Sequence, residues 1–243
     1  MPPTSFSLPT APTLDYQALL LVVPVLLFSV ILHEYAHGYA ALKQGDQTAL
    51  TLGRLTLNPL KHIDPFYTII MPIVLYLTMH MFLGGAKPVP VNPRNYRNFK
   101  RGDIIVSLAG VFANLLLAIA CAILIVPLGL LARVVGEMDP SIGILQAMLI
   151  VGVYLNLMLI AFNLIPIPPL DGSHVAKYLL PVSWAYRYSR MGFLGLIVII
   201  LLLQVFPGFL LAWFSPAYHV GDVLLNAVSR FVTPGAARWK VIG

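Results

Sequence analysis

Residues 16–42 read YQALLLVVPVLLFSVILHEYAHGYAAL, and this stretch decides the fold class. No charged side chain occurs from Tyr16 to Leu32. The whole run exceeds the approximately 20 residues that a helix needs to cross a bilayer. His33, Glu34 and His37 are set into this apolar helix, where ionisable side chains are costly and are usually retained for function.

Working outward, residues 104–135, 144–165 and 191–214 are also long enough to span. A fifth run, 66–83, is short, contains Pro72 and His80, and ends in Gly84-Gly85. The chain is 59% hydrophobic and 10% charged, with a mean hydropathy of +0.87. Soluble domains carry about 25% charged residues. In residues 48–57, Leu50-Thr51-Leu52 and Leu55-Thr56-Leu57 alternate around Gly53-Arg54, a pattern that predicts a β-hairpin. Lys87-Pro88-Val89-Pro90-Val91 has prolines that remove backbone donors, so it predicts an edge strand or a loop. The expected fold is an all-α polytopic membrane protein. It has four to six transmembrane helices and a small membrane-associated β-hairpin or re-entrant segment.

The net charge of +6 and the pI near 9.5 need a partner class. The basic residues lie in short loops between apolar runs, and no nucleic-acid-binding module is visible. The charge therefore points to the lipid bilayer and excludes nucleic acid. If residues 66–83 cross the membrane, Lys and Arg divide eight against seven between its faces. If that run is re-entrant, eleven fall on one face and four on the other. The positive-inside rule favours the second arrangement, with the long basic loop cytoplasmic.

Residues 1–13 are rich in Pro, Ser and Thr without a basic residue, and are expected to be a flexible leader rather than a secretory signal. One membrane domain is expected over 14–215, followed by a C-terminal tail over 216–243. Cys121 is the lone cysteine and lies inside an apolar run, so no disulfide forms within one chain.

His33 and His37 are four residues apart, which puts both imidazoles on one helix face, one turn apart. That spacing suits two ligands of a tetrahedral Zn2+, with Glu34 beside them as general base. The alternative is a chance motif with satisfied histidines, and the cost of three ionisable groups within a bilayer disfavours it. A catalytic zinc takes three protein ligands and leaves one position open. The third must come from another element. The carboxylates available are Asp15, Asp46, Asp64, Asp103, Glu137, Asp139, Asp171 and Asp222. Asp171 differs from the rest because it follows a proline-broken helix end, Asn163-Leu-Ile-Pro166-Ile-Pro168-Pro169-Leu170, and precedes Gly172. His62 is the second choice, although its place outside the helix, near Asp64 and Pro65, favours a loop-shaping role. His174, three residues after Asp171, is either a partner of the ligand or an incidental polar residue. His80 and His219 have no visible partner.

His33-Glu34-x-x-His37 followed by Asn163-x-x-Pro166-x-x-x-Leu170-Asp171-Gly172 resembles the site-2 protease family of intramembrane zinc metalloproteases. The intervening Asn58-Pro59-Leu60-Lys61-His62-Ile63-Asp64-Pro65 and Ala86-Lys87-Pro88-Val89-Pro90-Val91-Asn92-Pro93 resemble its small prokaryotic subgroup, which lacks PDZ and CBS domains. The likeness covers roughly residues 18–180. It implies one Zn2+ per chain held by His33, His37 and Asp171, with Glu34 as catalytic acid/base and Asn163 near the substrate carbonyl. It also implies a multi-pass protein of the bacterial or archaeal cell membrane that cuts membrane-anchored proteins, as in regulated intramembrane proteolysis. Ala109-Gly110-Val111-Phe112-Ala113-Asn114 resembles a family pattern that usually has Pro where Val111 stands, which puts a helix kink there in question. Asn114 either lines the site or makes an interhelical hydrogen bond.

The competing class is non-hydrolytic: a zinc-binding membrane scaffold or a metal transporter. A transporter would spread polar groups along a path, whereas this chain collects them at two places. It also keeps Glu34, which a binding site alone does not need. Oligomeric state leaves no trace in the sequence.

Overall fold

The computed structural model describes residues 16–65, 70 and 86–237. The expected leader, most of the 66–83 run with His80, and residues 238–243 lie outside the described residues. The long helices are α1 (Tyr16–Gln44), α3 (Phe99–Val135) and α4 (Pro140–Asn163). Between α1 and α3 lie the short α2 (Thr48–Thr51) and two 3-10 turns, Pro59–Lys61 and Pro93–Asn95. After α4 come α5 (Asp171–Ala176), α6 (Val182–Ser189), α7 (Phe193–Val205), α8 (Pro207–Val228) and α9 (Pro234–Ala237).

Among the described residues, three helices are long and apolar enough to cross a membrane: α1, α3 and α4. The sequence predicted four to six. The 191–214 run is not one continuous helix, because it breaks at Phe206 and Pro207 starts a new one. Proline suits that first helical position, where its missing N–H has no helical partner to lose. A bent pair, α6 with the first part of α7, raises the number to four if it counts as one broken span. Residue 216, the expected start of a tail, lies inside α8. Beyond α8, Thr233 donates its backbone N–H and its hydroxyl to the fully buried Gln146 Oε1 of α4.

The packing of α3 shows why these helices associate. Its buried positions include Gly110, Asn114, Ala118, Ala122, Gly129 and Ala132, a seam of mostly small residues. On the opposite side Phe112, Leu116, Ile123 and Leu130 are exposed, as a lipid-facing stripe would be. Lipid is as apolar as leucine, so close backbone approach drives helix association here more than burial does. A Cβ on Gly152 of α4 would stand 2.7 Å from Cys121 Sγ, so glycine there sets the α3–α4 spacing. Cys121 is unpaired. The helix α3 runs unbroken through Val111, the position where the family pattern has proline.

The predicted hairpin is not formed, and no strand occurs among the described residues. Asp46 accepts from the backbone N–H of Thr48, the first residue of α2. Gly53, with φ of 61°, ends it. The bonds Arg54 N→Ala49 O and Gly53 N→Leu50 O are the paired closures of a helix C-terminus capped by a left-handed glycine. Gly53-Arg54 therefore closes a helix and does not turn a hairpin. Residues 86–91 are loop with no ladder partner. Arg54 Nη2 donates to Lys87 O at 3.1 Å, and Lys87 N donates to His62 O at 2.8 Å.

Candidate metal centre

His33, Glu34 and His37 lie in the C-terminal half of α1, and Asp171 opens α5. The proline-rich segment 164–170 carries the chain from the end of α4 to Asp171. A Cβ on Gly172 would stand 2.4 Å from Leu164 O, so only glycine lets α5 press this closely on the end of α4. That contact brings Asp171 back to α1.

Three ligand atoms converge. His33 Nε2 and His37 Nε2 are 3.0 Å apart. Asp171 Oδ2 stands 3.2 Å from the first and 3.3 Å from the second. A tetrahedral zinc with bonds of about 2.0–2.1 Å needs ligand atoms separated by roughly 3.3 Å. The triangle matches that edge closely. Asp171 Oδ2 is buried, and neither imidazole meets it with hydrogen-bond geometry, which is the arrangement expected of an oxygen aimed at a cation. Among the described residues, this is the only cluster of three potential ligand side chains within metal-binding reach.

The surroundings fix these side chains. His37 Nδ1 lies 2.7 Å from Val106 O of α3. Donation there places the lone pair on Nε2, the nitrogen that faces Asp171. His33 is buried, 6% exposed, and its Nδ1 has no partner. Gly110 lies opposite the pair: a Cβ there would stand 2.5 Å from both His33 Nε2 and His37 Nε2.

Glu34 is half-buried, and its Oε2 accepts the backbone N–H of Val89 at 2.8 Å. Asn163 ends α4, and its Nδ2 donates to Leu159 O one turn back at 2.9 Å. Asn114 is fully buried, and neither its oxygen nor its nitrogen has a partner, so it makes no interhelical hydrogen bond. It stands one turn beyond Gly110 on the same face of α3.

His62 is not at the cluster. It is buried in the loop after α2, with Nε2 2.8 Å from Thr56 O, and shapes that loop. Its signal was the neighbouring Pro59 and Pro65, which mark a turn. His174 meets Asp103, not Asp171. His219 is exposed on α8. Two contributors to the centre went unassigned in the sequence. One is the Val106 carbonyl, which no side-chain pattern reveals. The other is the Val89 amide, whose signal is that Pro88-Val89-Pro90 offers only one backbone donor.

The sequence model of Peptidase family M50 matches residues 127–206, a stretch that contains Asn163 and Asp171. "Putative zinc metalloprotease YwhC" of Bacillus subtilis (strain 168) is 36% identical over 216 residues, 88% of this chain and 93% of that protein. "Putative zinc metalloprotease Rip2" of Mycolicibacterium smegmatis is 34% identical over 154 residues, 63% of this chain and 54% of its own length. The Mycobacterium tuberculosis (strain H37Rv) protein of the same name is 32% identical over 152 residues, with the same coverage. No solved structure matches the chain.

Proposed function

This chain belongs to peptidase family M50 as a site-2-type zinc metalloprotease, and from that premise we propose that it cuts membrane-anchored proteins in or near their transmembrane segments. The observation that carries this reading is the convergence of His33, His37 and Asp171 at 3.0–3.3 Å, beside Glu34, on a helix apolar enough to span a bilayer.

His33, His37 and Asp171 hold one Zn2+, which in such a site supplies Lewis acidity, acidifying water and polarising a carbonyl. Every other part of the chemistry falls to the chain. Glu34 takes the proton of the attacking water on the carboxylate oxygen that Val89 leaves free and returns it to the leaving amine nitrogen. The amine departs neutral, the second water proton stays on the new carboxyl group of the other fragment, and that group then ionises to solvent, so protons and bonds balance. Asn163 and Asn114 receive the substrate: Asn163 Nδ2 turns from Leu159 O to the oxygen on which charge develops. Asn114, buried and unpaired, lines the site. The substrate segment unwinds before cutting, because a helix hides its peptide bonds. The basic residues between α1 and α3 support a site that opens toward the cytoplasmic face of a cell membrane.

The test is reconstitution of the full chain in liposomes with candidate single-span proteins, beside Glu34→Gln. Cleavage by the native chain and none by Glu34→Gln is expected. Equal cleavage by both would sink the role of Glu34. Zinc bound at one ion per chain, with cleavage by neither across a broad panel, would favour the scaffold reading.

A further inference from the structure

Asp103 is a carboxylate that the chemistry above does not use. It lies in the first turns of α3 and is 2% exposed. All three side-chain partners come from the segment that follows Asp171. His174 Nδ1 is 3.3 Å from its Oδ1, Lys177 Nζ is 2.6 Å from its Oδ2, and Tyr178 Oη donates to Oδ2 at 2.9 Å. The six-residue α5 has no side-chain cap at its N-terminus, and its covalent lead-in is the proline-rich segment 164–170. A helix this short does not hold itself in place.

The position of Asp103 along α3 matters as much as its partners. Asp103, Val106, Gly110 and Asn114 are spaced by three or four residues and share one face. On that face Val106 O orients His37, and Gly110 leaves room for both imidazoles. The same helix thus fixes the two histidines at one level and grips the Asp171 segment two turns away.

We propose that Asp103 is a positioning residue for the metal centre. Through His174, Lys177 and Tyr178 it locks α5 in register along α3, and so sets the Asp171 carboxylate against His33 and His37. The inference rests on reading those three residues as the zinc site. Its structural alternative is an ion pair that stabilises the fold and leaves the metal untouched. Removing one partner of a buried pair is costly in itself, so a simple truncation confounds the two.

The experiment therefore uses the full chain in detergent with three changes: Asp103→Ala, Asp103→Glu, and the double change Asp103→Asn with Lys177→Met, which removes both charges together. Two quantities are read: zinc affinity by chelator competition, and the visible spectrum with Co2+ as the probe, which reports ligand geometry. Thermal unfolding of the metal-free form supplies the fold control. Asp103→Ala and the double change are expected to weaken zinc roughly 10- to 100-fold, as loss of support behind a ligand does. They should also shift the Co2+ bands, while Asp103→Glu recovers most of the affinity. If Asp103→Ala does not fold, the double change decides alone. Native zinc affinity and Co2+ spectrum in the double change would overturn the proposal. Asp171→Ala separates this outcome from failure of the site itself. If it too binds zinc normally, the metal-site reading is wrong; if it loses zinc while the Asp103 changes do not, only the clamp is wrong.

Discussion

The backbone N–H of Val89 donates to Glu34 Oε2 at 2.8 Å, so a loop 55 residues further along the chain holds the proposed base. Val89 is buried, and its Cγ1 would stand 2.8 Å from a Cβ on Gly38, one turn past Glu34. With prolines on both sides, Val89 supplies the only amide of that tripeptide, and it goes to the carboxylate. A hydrogen bond to a charged group contributes about 1.5–3 kcal/mol. Val89→Pro removes the donor and is expected to lower turnover by roughly 10- to 100-fold with zinc content unchanged. Val89→Ala keeps the amide and should cost far less. Equal losses in the two variants, measured on one substrate in liposomes, would mean that packing and not the amide holds Glu34.

Gly110 gives a second prediction, because its role is spatial. A Cβ at 2.5 Å from both ligand nitrogens forces the imidazoles apart or pushes α3 away. Overpacking of this kind costs about 1–3 kcal/mol, which is roughly 5- to 150-fold in zinc affinity if the strain falls on the ligands. Gly110→Ala should thus lose zinc in chelator competition while keeping its helical circular dichroism. Retention of native affinity would show that α3 moves aside without effect on the ligands.

The cluster of His33, His37 and Asp171 was legible because its signals are local: a four-residue spacing on an apolar helix, and one carboxylate behind a run of prolines. The hairpin misreading came from Gly53. The same left-handed glycine serves a hairpin turn and a helix end, and the alternation of Leu and Thr around it favoured the hairpin. The backbone bonds show the completed helix end instead. The apolar run 191–214 misled for a related reason, since hydropathy is blind to Pro207. Asp103 was visible as a carboxylate near a membrane edge, but its three partners lie more than 70 residues away and nothing local announces them.

Asn114 separates stability from activity. It is fully buried with both polar atoms unpartnered, a condition that costs about 1–3 kcal/mol. Asn114→Leu fills nearly the same volume without the unpaired atoms. The variant is expected to unfold at an equal or higher temperature and yet turn over at least about tenfold more slowly, with zinc retained. Native turnover would leave Asn114 without a part in the site.

Asp46 ties the end of α1 to the loop that reaches Glu34, and its effect is pH-dependent. The carboxylate is 1% exposed and accepts from Thr48 N at 3.1 Å, Asn92 N at 2.6 Å and Asn95 Nδ2 at 2.8 Å, with the Thr48 hydroxyl as a fourth donor. Burial raises its pKa, but the donors from Asn92, Thr48 and Asn95 outweigh that and hold it below the ordinary 3.8. A folded value below the unfolded one means the stabilisation is complete above the unfolded value. It is then lost as pH falls through the folded one. The native chain should therefore be more stable than Asp46→Asn at neutral pH by about 1.5–3 kcal/mol. The gap in unfolding temperature should narrow as the pH drops below 3.8. A gap that stays constant from pH about 6 to about 3 would show that the carboxylate charge contributes nothing to the clasp, and that Asn at 46 fails for reasons of shape alone.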